Sequence, residues 1–387
     1  MHSAELFAGC GGLALGMSVA GFHHRLMAEF DEDAVATVRH NRSRKLEHVL
    51  HWPMERQDVR DIDWSLYDQL DLISGGPPCQ PFGIGGKKLG NVDHRDMWPE
   101  AIRAVREGMP RAFLFENVRN LAGPKFRAYL EWIIAQLERP GVTRLPGEEH
   151  EVHTQRLRVS PEPNEYDVCC QVVNAADFGA AQIRYRVLIF GLHANVDGKL
   201  GPMVATHSRD RLLWDQYVTG EYWRRHGLRP GLTAVSPRDD GRVTQLRRSL
   251  LPPAELPWVT VRDILSGLGD PNGKGDHVLQ LGARVYPGHT GSPLDLPAKA
   301  LKAGDHGVPG GENMMVRDDG SVRYFTKREA ARLVGLPDKF EFPRSWSESM
   351  RQMGNAVPVP LASAAGAWLR SFLLTEKDGV APQRQAA

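Results

Sequence analysis

The chain has 387 residues, with 48 Lys and Arg against 47 Asp and Glu and a formal net charge of +1. This length suits a large core or two lobes, and the ordinary apolar and charged fractions point to a globular protein. With so little net charge, a nucleic-acid face has to come from local clustering; no apolar stretch is long enough to span a bilayer, and Met1-His2-Ser3-Ala4-Glu5-Leu6-Phe7 has no signal-peptide pattern.

Up to about residue 135, short apolar strands alternate with amphipathic helices. Ala4-Glu5-Leu6-Phe7 reads as a strand, followed by a Gly-rich turn and a helix from Leu13 to Val19. Arg25 to Glu29 is a second strand, with a helix through Ala34, Val35 and Val38 behind it. Leu70 to Ser74 and Ala112 to Glu116 are further strands, the latter reached through a helix from Met97 to Arg106. This alternation predicts a parallel sheet covered on both faces. Residues 141–165, rich in Pro, Glu, His and Arg, read as a surface insertion. Strands at Val168–Val173 and Tyr185–Gly191 then form a hairpin-like edge. From residue 196 to about 315 regular periodicity falls while Trp, Arg, Pro and Gly rise, which predicts a separate small domain. Helices from Lys327 to Leu336 and from Val359 to Leu374 follow, and residues 375–387 read as a disordered tail.

Phe7-Ala8-Gly9-Cys10-Gly11-Gly12 follows the first strand and opens a helix, where glycines let a ligand approach the backbone. It lacks the full dinucleotide fingerprint, and by itself it is equally a tight strand–helix turn. Glu29 lies about twenty residues on, at a strand end suited to accepting ribose hydroxyls. Asp58 is placed to bind an adenine amine, or is a solvated turn acid.

Cys79 sits in Gly75-Gly76-Pro77-Pro78-Cys79-Gln80-Pro81-Phe82, directly after a buried strand. Two prolines leave the turn few conformers, which suits a presented nucleophile; a small core cysteine is the competing reading. The four cysteines, Cys10, Cys79, Cys169 and Cys170, have no zinc-like spacing, so a reducing cytoplasm and no structural metal are expected. Glu116 ends an apolar strand, where a carboxyl group would be partly desolvated and able to donate a proton, or would cap the next turn. Arg184 and Arg186 alternate, which puts both on one face of a strand.

In order and spacing these segments resemble the DNA (cytosine-5)-methyltransferases. Glu5-Leu6-Phe7-Ala8-Gly9-Cys10-Gly11-Gly12-Leu13 is similar to the family's first motif, Pro78-Cys79-Gln80 to its nucleophile motif and Glu116-Asn117-Val118 to its acid motif. Gln182 through Arg186 is similar to its arginine motif, and Gln352-Met353-Gly354-Asn355-Ala356-Val357-Pro358 to its last. The resemblance covers residues 5–191 and about 316–370. It implies a Rossmann-like α/β sheet for S-adenosyl-L-methionine with a small irregular target-recognition domain. By that resemblance the domains are 1–195 and 316–374 for catalysis and 196–315 for target recognition.

The resemblance also implies roles. Phe7, Gly9, Gly11, Leu13, Glu29, Phe30, Asp58, Pro78, Asn355 and Val357 would hold the cofactor, with Phe30 stacking on adenine. Cys79 would add to cytosine C6, Glu116 would hold N3, and Arg184 and Arg186 would serve O2. The target base would be flipped from double-stranded DNA. Gly83 through Gly90 would form a loop closing over DNA, with Gln80, Lys87 and Lys88 among its contacts. Arg284, His289 and Thr290 are further DNA-binding candidates. Three departures from the family pattern stand out: Gly83 after Phe82, Ala180-Ala181 before Gln182, and Ala300-Leu301. A cytoplasmic monomer of the bacterial restriction–modification type, with a separately encoded endonuclease as functional partner, is expected. A core starting almost at Met1 disfavours the multidomain chromatin enzymes. The alternatives are a tRNA cytosine-5 methyltransferase, which lacks a long recognition domain, and a catalytically silent DNA-binding relative. A nicotinamide-dependent oxidoreductase is weaker, because the third glycine is missing.

Overall fold

The structure, a computed structural model, describes residues 1–78, 96–231, 234–287, 289–303 and 313–374. Two compact units divide the chain: the first takes residues 1–173, 185–203 and 362 onward, the second 174–184 and 204–361.

In the first unit, β1 (His2–Leu6), α1 (Gly12–Val19), β2 (His23–Glu29), α2 (Glu32–Ser43), β3 (Met54–Arg56) and β4 (Leu72–Gly75) follow in order. They continue into α3 (Trp98–Gly108), β5 (Ala112–Val118), α4 (Arg127–Glu138), α5 (His150–Val159) and β6 (Tyr166–Asn174). After β7 (Gln182–Ile183), which belongs to the second unit, β8 (Tyr185–His193) returns to the first. The sheet has seven strands in the order β3-β2-β1-β4-β5-β8-β6. β3, β2, β1, β4 and β5 are mutually parallel. β8 runs antiparallel to β5 and neighbours β6, so the expected parallel sheet ends in the hairpin-like edge read from the sequence, and the sheet as a whole is mixed. The reason lies in the connection, since β6 and β8 form the far edge without a crossover helix between them.

Residues of β8 show how the two faces are filled. Val187 and Ile189 join the core of Trp98, Ile102, Val105, Trp132 and Ile133 from α3 and α4. Phe190, one residue out of phase, packs on Trp368 of the C-terminal helix (Val359–Leu373) at 4.8 Å. Successive strand side chains point to opposite faces, so helices cover both. No helix among the described residues is long and apolar enough to cross a membrane.

The stretch 141–165 is more than a surface insertion. It contains α5, whose His150 and His153 are buried. Trp132 Nε1 donates to His153 Nδ1 at 3.1 Å, and the Trp132 and His150 rings meet at 4.2 Å. Histidines supply this packing face, so it gives no apolar periodicity in the sequence.

Glu5 is fully buried in β1, where it accepts a hydrogen bond from Ser74 Oγ at 3.0 Å. Burial pushes its carboxyl up to about 8, against the hydrogen bonds from Ser74 and the Ala14 backbone. Between its ordinary value and about 8 the folded chain therefore keeps a proton that the unfolded chain has released. Stability then falls as pH rises through that interval. Glu5→Gln should flatten the pH dependence there, as read by denaturant unfolding at a series of pH values.

The second unit contains β9 (His207–Ser208), α6 (Arg209–Tyr217), α7 (Glu221–Arg225), α8 (Asp240–Arg247), β10 (Leu256–Pro257) and α9 (Val261–Leu265). Then come β11 (Ser292–Pro293), β12 (Ala298–Lys299), β13 (Met314–Val316), β14 (Val322–Tyr324), α10 (Lys327–Val334) and α11 (Trp346–Asn355); α12 (Val359–Leu373) begins here and ends in the first unit. Its sheets have two or three short strands, which matches the loss of periodicity after residue 196. A small core of Leu212, Tyr222 and Trp223 holds α6 and α7 together. The unit division also draws residues 316–361 into this unit. The expected tail, 375–387, lies outside the described residues.

Candidate active site

Parallel β1, β2, β4 and β5 direct their C-terminal ends to one sheet edge, and order reverses between β1 and β4. Such a switch point is where open α/β sheets bind ligands. The Phe7–Gly11 turn leaves β1, Glu29 ends β2, Gly76-Pro77-Pro78 leaves β4, and Glu116 to Val118 ends β5. Antiparallel β8 brings its N-terminal end to the same edge, with Arg186 opposite Val118.

At the β1 end, Phe7, Gly9 and Gly11 take φ values of 55°, 54° and 91°. A Cβ on Gly9 would meet nothing within 4 Å, so the backbone there is open to a ligand. At Gly11 a Cβ would stand 2.4 Å from Trp52 Cζ3, so the glycine is needed for packing as well as for its backbone angle. Leu13 is buried in α1 behind the turn. Glu29 Oε2 accepts the Gly9 N–H and Oε1 the Asp31 N–H, each at 2.7 Å. Burial raises its carboxyl above the ordinary range, against those backbone hydrogen bonds. Phe30 is 63% exposed, with the Arg56 guanidinium 5.2 Å from its ring centre. Gln57 N–H donates to Glu29 O at 2.9 Å, tying the β3 end to the β2 end and leading into Asp58. Asp58 caps the short helical turn Val59–Asp61. This open glycine turn, a carboxylate beside it, an exposed aromatic ring and a second acid make a donor set that fits an adenosyl group.

At the β4 and β5 ends, Asn117 Nδ2 donates to Pro77 O at 3.1 Å and so pins the proline turn to β5. Sequence reading quoted this residue in the acid motif without giving it a role, because only the turn's position beside β5 gives its amide a partner. A Cβ on Gly76 would lie 3.4 Å from Glu116 Oε2, an ordinary contact that places the turn beside the acid. Glu116 is buried, and its Oε1 meets Arg186 Nε at 2.5 Å. The desolvated acid anticipated from the sequence therefore has a guanidinium partner as well. Pro78 is half-buried; Cys79, Gln80, Gly83, Lys87 and Lys88 lie outside the described residues.

Arg184 and Arg186 have different partners. Arg184 is the single residue between β7 and β8: its N–H donates to Asn174 Oδ1 and its carbonyl accepts from Ala175, beside the end of β6. It is 2% exposed and donates to Leu301 O at 3.2 Å and Gly354 O at 2.6 Å. Its guanidinium thus fastens two stretches of the second unit together, and Arg186 alone meets Glu116. Arg184→Met would leave two carbonyls of this buried cluster without their donor and should lower stability by about 3 kcal/mol, as measured by denaturant unfolding.

Asn355 ends α11 and is exposed, and Val357 is buried just beyond it. Much of this motif is therefore helical, with an αL-free helix end at Ala356. Gly354 lies so close to Ala303 that a Cβ would stand 2.5 Å from its N. Of the departures noted in the sequence, Ala181 O accepts from Ala298 N–H at 2.8 Å, which joins β7 to β12. Arg284 is exposed; the Tyr286 and His289 rings meet at 4.3 Å, and Thr290 Oγ1 accepts from Lys299 Nζ at 2.9 Å.

A sequence model of the family described as C-5 cytosine-specific DNA methylase matches residues 1–212 and 296–369. Type II methyltransferase M.NgoMIV of Neisseria gonorrhoeae is 30% identical over 373 residues, covering 94% of this chain and 95% of its own. Type II methyltransferase M.AplI of Arthrospira platensis is 30% identical over 365 residues, covering 93% and 83%. Among solved structures, a putative DNA modification methyltransferase encoded within an E. coli prophage aligns with a TM-score of 0.58 at 20% identity, covering 97% of this chain and 99% of that one. The S. pombe Dnmt2 methyltransferase aligns equally well, at 0.58 and 17% identity, over 96% and 99%. At these identities the structural matches speak for the fold alone.

Proposed function

The chain belongs to the C-5 cytosine-specific DNA methylases, and from that premise we propose that it methylates C5 of a flipped cytosine within a short double-stranded DNA sequence. The observation that carries this reading is the shared sheet edge, where the Pro77-Pro78 turn, the Glu116–Arg186 pair and the open Gly9 turn beside Glu29 converge.

Cytosine C5 is a poor nucleophile until a thiolate adds at C6 and gives it enamine character. Cys79 is the proposed thiolate. The other cysteines support this choice by their chemistry: burial pushes the Cys10 thiol up to about 12 and Cys170 up to about 11, and raises Cys169 as well. None of those three is suited to supply a thiolate near neutral pH. Glu116 is assigned to hold a proton at N3, and Arg186 to orient Glu116 and place positive charge beside O2. After C5 is alkylated, a base removes its proton and elimination returns the Cys79 thiolate. Arg184 is assigned a positioning role.

S-adenosyl-L-methionine is the proposed methyl donor; when bound it supplies an electrophilic methyl group on a sulfonium sulfur. Phe7, Gly9, Gly11, Leu13 and Pro78 would line it, Glu29 would accept its ribose hydroxyls, Phe30 would stack on adenine, and Asp58 would accept the adenine amine. Asn355 and Val357 are assigned to the methionine part. Residues 196–315 are proposed as the target-recognition domain, with Arg284, His289 and Thr290 among its DNA contacts and Gln80, Lys87 and Lys88 contributing from the segment after the nucleophile. A separately encoded endonuclease is the proposed functional partner.

Base-resolution cytosine conversion sequencing of DNA from a methylation-deficient host expressing this chain tests the proposal. Protected cytosines in one short sequence context are expected. Unprotected DNA together with protected sites in small RNAs would replace the DNA reading with the tRNA one.

A further inference from the structure

We propose that Arg60 is a resident competitor for the adenine end of the cofactor, occupying the Asp58 carboxylate until the adenine amino group takes its place. The inference rests on the assignment of Asp58 to that amino group. Asp58 already receives three N–H donors from one residue. Arg60 N–H donates to Oδ1 at 3.0 Å, Arg60 Nε to Oδ1 at 2.9 Å and Arg60 Nη2 to Oδ2 at 2.5 Å. The last two form the planar fork with which a guanidinium covers a carboxylate. An adenine amino group is also a planar N–H donor, and it would compete for the same lone pairs.

The surrounding frame decides which part gives way. Arg103, on α3, donates through Nη2 to Val59 O at 2.8 Å and Arg60 O at 3.3 Å, and through Nη1 to Ile62 O at 3.2 Å. Its Nε and Nη1 also meet Glu100 and Glu107 at 2.7 and 2.9 Å, which hold the guanidinium in place. The backbone after Asp58 is therefore clamped on three carbonyls and cannot carry Arg60 away. The side chain of Arg60 is 58% exposed, against 19% for Asp58. Release of Arg60 is thus a rotation of one side chain into water, with the turn left standing. A ligand that binds only the released state has its apparent affinity reduced by the fraction of molecules in the latched state.

Isothermal titration with S-adenosyl-L-homocysteine tests this on the full-length protein, Arg60→Ala and Asp58→Asn, alone and combined. Arg60→Ala is expected to tighten binding about two- to fivefold, the range set by an exposed ion pair. Raising salt to about 0.5 M should screen that pair and bring the unmodified protein towards the variant. Asp58→Asn should weaken binding in either background. If Asp58→Asn weakens binding while Arg60→Ala leaves it unchanged or weaker, the competitor role is overturned and the Asp58 assignment stands. If Asp58→Asn has no effect in either background, the assignment of Asp58 falls, and the competitor role with it.

Discussion

Cys79→Ser should lower methyl transfer about 10⁴-fold or more, the scale on which removing a covalent nucleophile acts. A cysteine is a few per cent thiolate near neutral pH and strongly nucleophilic, whereas a serine hydroxyl stays protonated without a dedicated base. The conversion assay should therefore find no protected cytosine in a culture expressing the variant. A second measurement separates lost chemistry from lost folding. DNA carrying 5-fluorocytosine at the target cannot release a proton from C5, so the adduct formed by the unmodified protein should persist through denaturing electrophoresis. The variant should bind the same duplex and form no such adduct. Retained methyl transfer by Cys79→Ser would remove the covalent pathway from consideration.

Glu116→Gln should lower turnover about a hundred- to ten-thousand-fold, the range of a positioned general acid. Glutamine preserves length and can still donate a hydrogen bond, but it cannot hold or surrender a proton at N3. The substitution also deprives Arg186 of the carboxylate 2.5 Å from its Nε, in a site where both side chains are largely buried. Some loss of stability is therefore expected alongside the kinetic effect. Cofactor KM reports in part on the turn where Glu29 accepts the Gly9 N–H, whereas Glu116 is paired with Arg186. A fall in kcat with cofactor KM unchanged is the expected signature. An equal loss through KM alone would show that Glu116 binds substrate without taking part in the chemistry.

The two predictions draw unequally on sequence and structure. The assignment of Cys79 comes from the sequence, where a glycine pair, two prolines and a preceding apolar run constrain the turn and the ordered series of motifs decides between nucleophile and core cysteine. Glu29 was legible for a similar reason, since a strand of known length carries an acid to its end. The alternation of strands and helices up to residue 135 followed from apolar periodicity, and the structure places those elements within a few residues of the expected bounds.

Other features required the folded chain. That β8 is antiparallel to β5 depends on which edge the chain reaches after β6, and this alone puts Arg186 beside Glu116. Alternation in Gln182 to Arg186 placed both arginines on one face. What the sequence left open is their partners: Arg184 meets the carbonyls of Leu301 and Gly354, far along the chain. The contacts of Asn117 with Pro77 O and of Arg103 with Val59 O and Ile62 O carried no sequence signal, because these carbonyls lie 40 or more residues away and their positions are set by the fold, whatever side chains they bear. The sequence by itself therefore determined the chemical groups and their order along the chain, which adjacent residues are sufficient to encode. Which groups meet, and which are spent holding the framework, was decided by strand order and chain reversal, because those contacts arise between segments far apart in sequence.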